Sequence, residues 1–128
     1  MRILSLGAGV QSTALALMIE KGEVPMVDCA IFADTQSEPD GVYDNLDRIK
    51  KAVSFPIHIV SRGSLRQEII DAINGVEGVF MSIPLHLDTE NGGMINRQCT
   101  GAYKVDMIHK KIQELLGIQR CKHGPKHV

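Results

Sequence analysis

The opening of the chain constrains its fold more than any other stretch. Residues 2–6 form a short, mostly apolar run of strand length that stops at Gly7-Ala8-Gly9. Residues 11–21, Gln-Ser-Thr-Ala-Leu-Ala-Leu-Met-Ile-Glu-Lys, are rich in strong helix formers, and Gly22 stands where a helix would end. A buried strand, a turn of small residues and a helix make the first half of a βαβ unit. The helix is apolar around most of its circumference, which predicts that it is largely buried.

The pattern repeats. Residues 27–33, Val-Asp-Cys-Ala-Ile-Phe-Ala, read as a second strand, followed by the polar loop Asp34-Thr35-Gln36-Ser37. Pro39 suits the first turn of a second helix, whose apolar face is Val42, Leu46, Ile49 and Val53. A third strand covers residues 57–60, with Pro56 at its start. Ser64-Leu65-Arg66-Gln67 matches a capping box and opens a helix carrying Ile69, Ile70 and Ile73. Residues 74–96 hold Gly75, Gly78, Pro84, Gly92 and Gly93 and read as a long loop. A last helix is predicted from Thr100 to Leu116, with Val105, Ile108, Ile112 and Leu115 on its apolar face and Gly117 stopping it. Strands alternating with helices predict an α/β fold, a parallel sheet with helices on both faces. Ligands of such sheets sit beyond the carboxyl ends of the strands, here loops 7–13, 34–38 and 61–64, over which residues 80–100 can fold.

Composition sets the outer bounds. With 128 residues the chain has room for one domain, residues 1–128, ending in a polar basic tail at 118–128. Hydrophobic residues make up 44 % and the net charge is −1, values of a globular protein rather than a disordered one. No apolar run reaches the length of a membrane span and no secretory signal is visible, so the cytoplasm is the expected compartment. Cys29, Cys99 and Cys121 are too few and too widely spaced for a disulfide framework. Cys121, His123 and His127 fit no zinc spacing, so no metal site is expected. Residues 97–128 carry 7 basic and 2 acidic side chains, which leaves the basic end open to an anion, nucleic acid included.

The loop Gly7-Ala8-Gly9-Val10-Gln11-Ser12-Thr13 carries the chemistry. Little side-chain bulk lets backbone N–H groups approach an anion, and the helix that follows adds the positive end of its dipole. Ser12 and Thr13 supply hydroxyls. The alternative is a tight turn that only permits close helix–strand packing. A Walker A loop is ruled out, because no lysine occurs between residues 3 and 20. A dinucleotide loop wants glycine where Ser12 stands, although Asp34 lies where a ribose-binding acid belongs.

Residues 7–12, Gly-Ala-Gly-Val-Gln-Ser, resemble the PP-loop Ser-Gly-Gly-x-Asp-Ser of the ATP pyrophosphatases, with Gly9 and Ser12 in register. The run from Ser5 to Thr13 is similar to a variant in relatives of phosphoadenylylsulfate reductase, many of them from phages and bacteria, with Gln11 in place of the usual aspartate. Phe32-Ala33-Asp34-Thr35 resembles that family's Phe-x-Asp-Thr, and Arg97-Gln98-Cys99-Thr100 with Tyr103-Lys104 resembles its Arg-x-Cys segment. The resemblance implies an adenine nucleotide alpha-hydrolase-like fold that binds ATP or a related adenine nucleotide, possible magnesium, and cleavage between the α and β phosphates with adenylation of a substrate. It implies nucleotide contacts from Ser5, residues 7–13, Phe32, Asp34 and Thr35, and cations at the phosphates from Arg97 and Lys104. The bland alternatives are a strand end and turn at Asp34-Thr35 and solvated charges at Arg97 and Lys104. The reductase cysteine motif has no counterpart here.

That family's sheet has five parallel strands and only three are legible. A fourth would pair with the strand at residues 2–6, whose edge is otherwise bare. The expectation is an N-terminal piece of a longer protein or a truncated product, its sheet completed by a missing segment or by a second copy. A NAD-type Rossmann domain and a non-catalytic nucleotide-binding module are the two alternatives.

Overall fold

The structure, a computed structural model, describes residues 1–76, 101 and 103–118 in full and the backbone of 86–87, 93–94, 100 and 102. Three parallel strands, β1 (Ile3–Ser5), β2 (Cys29–Asp34) and β3 (Ile57–Ser61), form a sheet in the order β1-β2-β3. Register runs from Ile3 opposite Cys29 to Ser5 opposite Ile31, and from Ala30 opposite Ile57 to Asp34 opposite Ser61. Helices α1 (Val10–Glu20), α2 (Asp40–Ala52) and α3 (Leu65–Ile73) follow the strands in turn. A π-helical segment, Thr100–Val105, leads into α4 (Asp106–Leu115). The result is a small α/β domain, a layout consistent with the Rossmann-like class.

The sheet is covered on two sides because β2 is apolar on both. Ala30 and Phe32 pack with Leu4 and Leu6 of the first strand segment, Ala16 and Ile19 of α1, and Leu46 and Ile49 of α2. By strand alternation Cys29, Ile31 and Ala33 point the other way, and all three are buried. The π-helical segment and α4 lie against β2 and bring the fully buried Tyr103. A continuous apolar run such as Cys-Ala-Ile-Phe-Ala suits a parallel strand enclosed on both faces. Burying Phe32 alone stabilises the fold by roughly 2–3 kcal/mol.

Several local expectations hold. Gly22 and Gly117 follow α1 and α4 with φ of +78° and +67°, the left-handed conformation that ends a helix. The Ser64 hydroxyl accepts the Gln67 N–H at 3.3 Å. The reciprocal half of that capping box is missing, because the Gln67 amide donates instead to Asp71 at 2.8 Å. Pro39 is the residue before α2 rather than its first.

Three expectations are corrected. First, α1 is not largely buried: Leu15, Leu17 and Met18 are 39, 38 and 40 % exposed, and Ala16 and Ile19 are its buried residues. Among the described residues β1 is paired on one side only, so the sheet beneath α1 is narrow and covers one flank of the helix. Second, the helix predicted from Thr100 begins as a π-helix. Its wider turn shifts the helical phase, so Val105 leaves the apolar face and is exposed while Tyr103 enters the core. Third, residues 74–96 are not loop throughout, since β4 (His86–Leu87) pairs antiparallel with β5 (Gly93–Met94). The rest of that stretch beyond residue 76 and the tail from 119 lie outside the described residues, as do Cys99, Cys121, His123 and His127. No helix among the described residues is long and apolar enough to cross a membrane.

Candidate functional site

The loop after β1 rises at the carboxyl end of the sheet. The β1–β2 ladder closes with the Leu6 N–H on the Ile31 carbonyl at 2.9 Å, and β2 continues three residues further. The loop therefore lies where β2 runs past the end of β1. Within it the strained residue is an alanine: Ala8 has φ of +53° and is buried among the core side chains. Gly7 and Gly9 do not adopt positive φ. Gly9 is the residue before α1, with φ −84° and ψ 180°, and a Cβ at that position meets nothing within 4 Å among the described residues. One on Gly7 comes only within 3.9 Å of the Ser12 hydroxyl. Among the described residues, packing against a neighbour does not account for either glycine.

The first helical bond of α1 runs from the Thr13 N–H to the Gly9 carbonyl at 3.0 Å. The N–H groups of Val10, Gln11 and Ser12 therefore have no partner within the helix. The Gly9 carbonyl also accepts the Thr13 hydroxyl at 2.7 Å and the Ser12 hydroxyl at 3.3 Å. Both hydroxyl protons thus point into the loop rather than out of it. Gly7, Gly9, Gln11 and Ser12 border an open depression of about 450 Å³, with Val10 between it and a second depression. The second, of about 600 Å³, lies between α1 and α2 against Ala8, Gly9, Thr13, Asn45 and Arg48. Both fall in the size range of small-molecule sites.

Asp34 and Thr35 build the next loop. Asp34 Oδ1 accepts the Gln36 N–H and the Tyr43 hydroxyl, each at 2.7 Å. Burial raises the pKa of Tyr43 above its ordinary value, and its bond to the Asp34 carboxylate raises it further. The buried Thr35 donates its hydroxyl to Glu38 at 3.1 Å, and its carbonyl takes the Leu65 N–H at 3.0 Å. Phe32 is a core side chain, so a ligand could meet only its backbone. Ser5 is exposed on the side of β1 facing away from α1.

Lys104 reaches the same end of the sheet, but its Nζ sits 2.9 Å from Glu38 Oε1, so its charge is matched there. Beside it the Arg62 guanidinium lies 5.2 Å from the Tyr103 ring centroid. Arg97 lies outside the described residues. The structure therefore gathers residues 7–13, 34–35 and 104 at one end of the sheet.

No family model, curated protein or solved structure matches this chain. The site is therefore read from its own residues. Sequence reading missed Asn45, Arg48, Glu38 and Tyr43. The spacing of Gly41, Asn45 and Arg48 along α2 was the available signal. It marks a second stripe beside the apolar one, and that stripe faces α1.

Proposed function

We propose that this domain binds an adenine nucleotide, with its phosphates seated against Gly9 and the first N–H groups of α1. One observation carries the reading. Gly9 has an ordinary backbone conformation and, among the described residues, open space where a side chain would stand, at the mouth of a depression edged by helical N–H groups that have no partner within the helix. Glycine there serves close approach of something other than the protein. Backbone donors and a helix N-terminus suit phosphate oxygens. The resemblance of residues 5–13 and 32–35 to the PP-loop family supplies the adenine nucleotide.

A NAD site is less favoured, because the carboxylate that would take the ribose hydroxyls is engaged by its own turn and by Tyr43. Gln11 can donate a hydrogen bond to a phosphate oxygen without adding negative charge. Magnesium, where it takes part, arrives on the phosphates, since the ion keeps most of its waters and uses few protein ligands. Bound ATP supplies an activated α-phosphorus, and the residues of this chain hold its phosphates.

Calorimetric titration with ATP and with NAD tests the reading, and a pyrophosphate-release assay with magnesium separates an enzyme from a binding module. Tighter binding of ATP is expected. Tighter binding of NAD, lost in Asp34→Ala, overturns it.

A further inference from the structure

We propose that Asn45 is a positioning residue that locks the loop of residues 7–13 in its phosphate-binding shape; this rests on the nucleotide reading above. Asn45 lies on α2, 37 residues from the loop residue it holds. Its Nδ2 donates to the Ala8 carbonyl at 2.9 Å and to the Thr13 hydroxyl oxygen at 2.7 Å. Both protons of one amide nitrogen are thereby used, one on each side of Gly9. An amide provides two donors from a single atom, whereas the carboxylate of the same shape provides none.

The lock has something to oppose. Ala8 holds φ of +53°, a conformation that an alanine leaves readily because its Cβ crowds the carbonyl. The peptide that follows Ala8 carries the Gly9 N–H, and its orientation sets the start of α1. Releasing the Ala8 carbonyl lets that peptide rotate and turns the donors away from the depression beside Gly9. The Thr13 contact ties the same amide to the first turn of α1, so strand end, loop and helix start are fixed from one point on α2. The hydroxyl of Thr13 thus belongs to the lock and that of Ser12 borders the ligand space.

The test measures ATP affinity by calorimetry on the full chain. Asn45→Ala weakens ATP binding by about tenfold, the free energy of one ordinary hydrogen bond. Asn45→Asp keeps the side-chain shape, so it preserves packing if the alanine variant fails to fold. It weakens binding at least as much, because it lacks the donors and adds negative charge near the phosphates. Adding Ala8→Gly to Asn45→Ala recovers affinity by at least about threefold, since glycine holds a positive φ without support. The ¹³C shifts of residue 8 in the free protein report the same loss of the left-handed conformation without any ligand.

Affinity in Asn45→Ala and Asn45→Asp equal to wild type overturns the positioning role and leaves the nucleotide reading standing. Weakened binding with unchanged residue 8 shifts and no rescue by glycine also overturns it. A wild-type chain that binds neither ATP nor inorganic pyrophosphate overturns the nucleotide reading itself, and the role of Asn45 with it.

Discussion

Replacing Gly9 with alanine separates a glycine kept for the fold from one kept for a ligand. Among the described residues the added methyl group meets nothing within 4 Å, and φ of −84° with ψ of 180° is open to any residue. Fewer conformations in the unfolded chain favour the variant by about 0.4–1 kcal/mol. Alanine is a poorer residue than glycine just before a helix, which costs roughly 0.5–1 kcal/mol. The two offset, so the stability change stays within about 0.5 kcal/mol and the melting temperature moves by roughly 2 °C or less. Binding behaves differently. A methyl group at the mouth of the depression keeps a phosphate oxygen from the neighbouring N–H groups. Losing one charge-assisted hydrogen bond costs roughly 1.5–3 kcal/mol, a drop in ATP affinity of about 10- to 150-fold. Differential scanning calorimetry and ATP titration on the same preparation read both quantities. A variant that binds ATP within twofold of wild type would falsify the placement of phosphate against Gly9. A melting point lowered by about 8 °C or more would show that the space before Gly9 is not open.

Other perturbations have equally definite outcomes. Ala8→Gly relieves a left-handed alanine, about 1–2 kcal/mol, but loses a buried methyl group and loosens the unfolded chain by a similar total, so urea midpoints should barely move. Ala8→Val, which puts a branched side chain at that φ, should lower stability by roughly 2 kcal/mol or more. Burial raises the pKa of Cys29 above its ordinary value of 9.0, and the neighbouring Asp28 raises it further while Lys111 lowers it. The unfolded thiol therefore ionises first, and the Cys29 contribution is full at neutral pH and declines as pH rises through the ordinary value toward the folded pKa. Urea melts at pH 7, 9 and 10 should show this decline, with a smaller slope in Cys29→Ala. Glu38→Gln releases Lys104 from its 2.9 Å partner. The half-exposed pair should contribute no more than about 1 kcal/mol to stability, and ATP affinity should rise a few-fold in Glu38→Gln but not in the double variant with Lys104→Ala.

Much of the frame was legible because local chemistry and tertiary demand agree. The run at residues 29–33 is apolar on both faces and becomes the enclosed middle strand. Gly22 and Ser64 sit where a helix end and a helix start require them. Legibility failed where the deciding partner is remote in sequence. The apolarity of α1 says nothing about how wide a sheet lies beneath it. The π-helical turn at Thr100–Val105 uses residues that an α-helix would also accept, and the burial of Tyr103 with the exposure of Val105 distinguishes the two phases. Gly9 stood out by its type and place. Asn45 did not, since an asparagine in a polar helix face gives no sign that it holds a loop 37 residues away. Lys104 reads as a free cation until Glu38 is seen beside it.

The unequal cover of the sheet has a thermodynamic meaning. β2 is held by strands on both sides and helices on both faces, whereas β1 is joined through a three-residue register to a single neighbour among the described residues. The unit formed by β1, the loop and α1 is thus tied to the rest of the sheet along one strand edge, and it is also the part proposed to hold the nucleotide. A ligand seated on the loop touches only a few of its atoms but stabilises the whole unit, because opening releases the ligand. Phosphate binding would then act as a clasp for the amino-terminal unit, and its occupancy would be legible in the solvent protection of amides along β1 that no phosphate reaches.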